Sequence, residues 1–124
     1  MGLDMYLFDK SKSDDQFESI GYWRKANQIH NFFVENVQFG NDDCGEYEVT
    51  KIDLIDLKNL CCDVLDGTDK PQNLLPTIGG FFFGSESYDD YYYNQIRNTI
   101  EICDKAIAYL DSDEGNTLTY TSSW

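Results

Sequence analysis

Residues able to do chemistry concentrate in two short stretches. The first reads YWRKANQIH and holds Trp23, Arg24, Asn27 and His30; the second reads SESYDDYYYNQ and holds Tyr88, Asp89, Tyr91, Tyr92 and Gln95. On a helix, Trp23, Asn27 and His30 stand three or four apart and share a face, as do Tyr88, Tyr91, Tyr92 and Gln95. Two such faces meeting near the helix starts would line a pocket with aromatic walls and a few directed hydrogen-bond groups. That chemistry suits a nucleotide base or another small planar ligand. The competing reading is packing, with Tyr and Trp buried and their polar tips bonded within the protein. His30 is the sole histidine, and its ordinary pKa lies near neutrality. A small hydrolase would use it as general base or acid, oriented by Asp89 or Asp4. Against that stands a histidine bonded for structure alone. No serine or cysteine stands at a spacing that commits it as a nucleophile.

Other site chemistries find less support. Cys44, Cys61, Cys62 and Cys103 form neither CxxC nor, with His30, any zinc-like spacing. Asp42, Asp43 and Glu46 share a loop but lack the calcium-loop pattern. The glycines of TIGGFFFGS are not followed by the Lys–Ser/Thr of a phosphate loop, and the dinucleotide fingerprint is absent. We therefore expect no metal and no cofactor. Backbone amides at Ser85–Ser87 would suit an anion, but Asp89 and Asp90 already occupy that positive niche.

The element that must position the second stretch is one long helix over 88–111. Tyr92, Ile96, Ile100, Cys103, Ile107 and Leu110 recur along it at helical spacing. Ser87 with Asp90 reads as its capping box. The first stretch falls in a helix expected over 22–38, with Ala26, Ile29, Phe33 and Val37 inward and Arg24 and Gln28 toward water. It should end near Phe39–Gly40, where glycine takes a left-handed cap. Residues 3–8 alternate as a strand with apolar groups on both faces, and 9–19 read as an exposed loop. A short strand at 47–49 precedes a helix begun by Thr50 with Asp53 as capping partner. Its stripe is Leu54, Leu57, Cys61, Val64 and Leu65, and it ends at Asp66–Gly67. Residues 68–76 form a loop, Phe81–Phe83 a strand buried on both faces, and 116–124 a closing strand. These elements amount to a single α+β domain over 1–124, about three helices packed on a small mixed or antiparallel sheet.

Composition narrows the partners. Twenty-three acids against nine Lys and Arg give a net charge of −14. Direct nucleic-acid binding is disfavoured, because phosphate contacts need cations. Anionic membranes are disfavoured likewise, and no apolar run approaches the length of a membrane span. A basic protein surface is the complementary partner, although an evenly spread charge would serve solubility alone. Asp14, Asp15 and Glu18, with Asp42, Asp43, Glu46 and Glu48 and with Asp111, Asp113 and Glu114, would mimic a nucleic-acid backbone if they converged. No secretory signal is visible, so an intracellular setting with reduced cysteines is expected.

The motifs GLDMYL (2–7), GYWRKANQIHNFFVENVQ (21–38), and LPTIGGFFFGS with YDDYYYNQI (75–96) together resemble a family of small, acidic, uncharacterised bacteriophage and prophage proteins. The resemblance covers most of the chain and carries no catalytic residue onto it. It implies a phage context and the host cytoplasm, where small accessory proteins act on host machinery or defence. The expected function is thus binding and modulation or inhibition of a host protein. A nucleotide-like ligand module, a His30-dependent hydrolase and a virion component are the alternatives.

Overall fold

The computed structural model describes residues 2–12, 19–79 and 84–124. Within them the order is β1 (Asp4–Phe8), β2 (Gly21–Arg24), α1 (Asn27–Asn36), β3 (Tyr47–Val49), α2 (Lys51–Asp66), α3 (Pro71–Leu74), α4 (Asp90–Ser112) and β4 (Leu118–Ser123). The strands form one four-stranded sheet in the order β2-β1-β4-β3, every pair antiparallel. This is the expected α+β class, with the sheet antiparallel throughout. The strand expected at Phe81–Phe83 lies outside the described residues.

Period-two alternation sets the two faces of the sheet. Met5, Leu7, Trp23, Leu118 and Tyr120 face the helices and join Ile29, Phe33, Leu54, Leu57, Ile96 and Cys103 in one core. Tyr6 and Phe8 on the opposite face are 8% and 1% exposed, so β1 is covered on both sides. α4 packs on α2 and crosses β2. The crossing is close: a Cβ on Gly21 would lie 2.5 Å from Ile102 Cγ2, so only glycine lets helix and strand approach this far.

α2 follows its sequence signals. Thr50 Oγ1 accepts from Asp53 N at 3.2 Å, Asp53 Oδ2 accepts from Thr50 N at 3.0 Å, and Gly67 closes the helix with φ +72°. Leu54, Leu57, Cys61 and Val64 are buried, whereas Leu65 is exposed. α4 is capped two positions further on than expected. Asp89, not Ser87, is the capping residue, and its Oδ1 accepts from Tyr92 N at 3.1 Å. A carboxylate caps as well as a hydroxyl and also meets the positive helix end.

Further expectations need correction. The helix over 22–38 is shorter, because residues 21–24 pair with β1 as a strand. Its aromatics gain ladder hydrogen bonds there, Lys25 turns the chain at φ +53°, and Lys25 N donates to Leu3 O at 2.7 Å. Trp23 therefore leaves the face it was expected to share with Asn27 and His30. Gln28, expected in water, is 3% exposed and donates to Tyr92 O at 3.3 Å. The loop read as exposed over 9–19 begins with a buried carboxylate. Asp9 accepts from Ser11 N at 2.9 Å and Thr117 N at 3.3 Å, and also from Tyr109 OH. It joins the end of β1 to the end of α4 and the start of β4.

Candidate functional site

The start of α1 and the start of α4 do meet, with Gln28 Nε2 donating to Tyr92 O, and most of the polar groups around the junction bond to the protein itself. Asn27 Nδ2 donates to Ser85 O at 2.8 Å, while its Oδ1 accepts from Ile78 N at 3.1 Å. Trp23 Nε1 donates to Thr99 Oγ1 at 2.9 Å across the β2–α4 contact. Tyr91 OH donates to Arg24 O, Tyr92 OH to Leu75 O at 2.7 Å, and Tyr88 OH accepts from Thr77 N at 3.1 Å. Burial pushes the Tyr92 hydroxyl well above its ordinary value, keeping it a donor. Gln95 sits half-buried with its Oε1 unpartnered among the described residues. Arg24 turns outward, where Asp4 Oδ1 accepts from it at 2.7 Å and from Tyr22 OH at 2.6 Å. Of the expected cluster, then, Asn27, Tyr88, Tyr91, Tyr92 and Trp23 brace one junction, and Arg24 belongs to the sheet's outer face.

His30 lies apart from that junction and is fully buried. Its partners are neither Asp4 nor Asp89: Nδ1 is 2.6 Å from Tyr120 OH, and Nε2 is 2.9 Å from Asp42 Oδ1. A carboxylate only accepts, so Nε2 carries the proton and Nδ1 accepts from the tyrosine hydroxyl. Burial holds the imidazole below its usual pKa, opposed by the pull of Asp42, and pushes the Tyr120 hydroxyl far up. The resulting Tyr120–His30–Asp42 chain runs from a buried tyrosine through a buried imidazole to a partly exposed carboxylate, and Trp124 Nε1 also donates to Asp42 Oδ1 at 3.2 Å. Tyr120 also stacks on Phe33 at 3.9 Å. Nothing in the sequence ties residues 42 and 120 to position 30; the sheet register places Tyr120 and the turn after α1 places Asp42.

The cysteines are free thiols. Burial raises Cys61 strongly and Cys103 to about 12, which leaves both unreactive. Among the described residues, no three His, Cys, Asp or Glu side chains converge to hold a metal. No helix there is long and apolar enough to cross a membrane.

A solvent-open concavity lies elsewhere, between α1 and α2. It has a volume of about 360 Å³ and is lined by Phe32, Asn36, Asp56, Asn59, Leu60 and Asp63. It exists because α2 packs chiefly on α4, leaving α1 and α2 splayed. Sequence reading did not single out these residues. The available signal was the spacing 56, 59, 60, 63, which sets two acids, an amide and a leucine on one helical row.

Fold and site together describe an α+β protein with an all-antiparallel four-stranded sheet, a largely satisfied polar interior, and a groove between α1 and α2. In comparisons with known proteins, no family model, no curated protein and no solved structure matches the chain.

Proposed function

We propose that this chain is a non-enzymatic binding protein that docks against a basic surface of another protein. In the phage setting that its motifs resemble, the partner is a host protein of the cytoplasm whose activity is modulated or inhibited by being covered. A nucleic-acid-binding or defence factor is the class that carries such a surface.

One contrast supports this reading. Most of the groups suited to chemistry are bonded to the protein itself, while many carboxylates are left outside. Glu35, Glu48, Asp56, Asp63, Asp66 and Glu101 have no hydrogen-bond or ion-pair partner among the described residues. With a net charge of −14, the surface attracts cationic partners and repels nucleic acid. The ligand-module alternative needs polar atoms of Trp23, Asn27 and His30 that already hold protein partners. Affinity capture from host lysate at low and moderate salt, then reconstitution with the purified partner, tests the proposal. A reproducible, salt-sensitive complex is the expected result. Turnover of a small substrate without any such complex overturns it.

A further inference from the structure

The groove between α1 and α2 has a polarity pattern that specifies its occupant. Phe32 and Leu60 give it an apolar floor, Asn36 and Asn59 line it with amides, and Asp56 and Asp63 supply the only charges in its lining. Asp56 and Asp63 are seven residues apart on α2, two turns or about 10 Å along one face. Asn59 and Leu60 lie between them. Neither carboxylate has a partner among the described residues, whereas Lys58, on another flank of the same helix, is committed to Asp104 at 2.5 Å. Beyond Asp56, the same row continues to Ile52, which is 70% exposed, with Ile55 beside it at 38%. An apolar floor, two separated anionic posts and an exposed isoleucine ramp form a surface for an amphipathic helix.

We propose that this groove docks a helix of the partner protein bearing arginines at positions i and i+7, with an apolar residue at i+3 or i+4. The inference rests on the basic-partner reading above and gives it an address. The two arginines match the spacing of Asp56 and Asp63, since both helices rise equally per residue. The apolar side chain seats on Phe32 and Leu60. Arginine fits better than lysine: a guanidinium bonds a carboxylate with two parallel N–H groups and keeps others for the amide oxygens of Asn36 or Asn59.

The probe is a synthetic, fluorescently labelled helical peptide with Arg at i and i+7 and Leu at i+3 and i+4, titrated with the full chain at low salt. Asp56→Asn and Asp63→Asn should each weaken binding by about two- to fivefold, the range of an exposed ion pair. Glu48→Gln, on the sheet's outer face, should leave it unchanged. Moving the second arginine to i+5, off the face, should weaken binding as much as losing one aspartate. Replacing both leucines by serine should weaken it by roughly tenfold or more. Thermal melts of these surface variants verify folding. Equal weakening by Glu48→Gln and the groove variants would overturn the docking site while leaving a diffuse basic-partner reading in place. So would peptide that fails to bind when a basic host protein is captured. Failure of both peptide and host capture would remove the two proposals together.

Discussion

Asp9→Asn keeps the shape of the side chain and removes its charge, isolating what ionisation contributes at the corner joining β1, α4 and β4. The carboxylate is 7% exposed. It accepts from Ser11 Oγ at 2.5 Å and Thr117 Oγ1 at 3.2 Å, in addition to Tyr109 OH and the amides of residues 11 and 117. Burial acts to raise its pKa, but these donors outweigh it and bring the group from 3.8 down to about 2. Tyr109, on the other side of its bond, is pushed up to about 12. Because the folded-state pKa is depressed, the stabilisation is complete above the unfolded value near 4 and disappears as pH falls through about 2. A gap of nearly two units at about 1.4 kcal/mol each amounts to roughly 2 kcal/mol. Urea unfolding followed by tryptophan fluorescence at about pH 7, 5 and 3 measures the deficit of Asp9→Asn against wild type. We expect a loss of roughly 2 kcal/mol at the two higher values and a clearly smaller one at the lowest. A deficit that does not change with pH would refute the assignment of this stabilisation to the ionised carboxylate.

Gly21→Ala drives a methyl group to 2.5 Å from Ile102 Cγ2. It should cost about 1–3 kcal/mol, read as a lowered Tm, with Ile102→Leu, which is unbranched at Cβ and so lacks the clashing Cγ2 methyl, restoring part of the loss. Thr50→Ala removes the cap and the reciprocal bond to Asp53, and should destabilise by about 1 kcal/mol in urea unfolding. His30 is held below its ordinary 6.5 mainly by burial. The unfolded chain therefore takes up that proton first, and stability falls as pH drops below 6.5 toward the folded-state value. His30→Gln should flatten that part of the stability–pH curve in chemical denaturation. Tyr92→Phe leaves Leu75 O without its bond at a buried site; a loss of about 1 kcal/mol in the same assay is expected.

Local signals determined most elements. The stripe of α4, the Thr50–Asp53 box, the Gly67 cap and the alternation of β1 and β4 each rest on contacts within a few residues, so they can be read from neighbours in the chain. The acid excess is likewise a property of composition. What the sequence hid was decided by partners far away in it. Residues 21–24 suit helix by pattern, yet they form a strand because β1 offers them a ladder. Asp9 is buried because Tyr109 and Thr117 supply donors from the other end of the chain. His30 meets Asp42 and Tyr120 only once the sheet register and the turn after α1 are fixed, and the groove beside Leu60 opens only because α2 leans on α4. Burial, pKa and concavity depend on what arrives from elsewhere in space, and spacing along one segment carries no record of that.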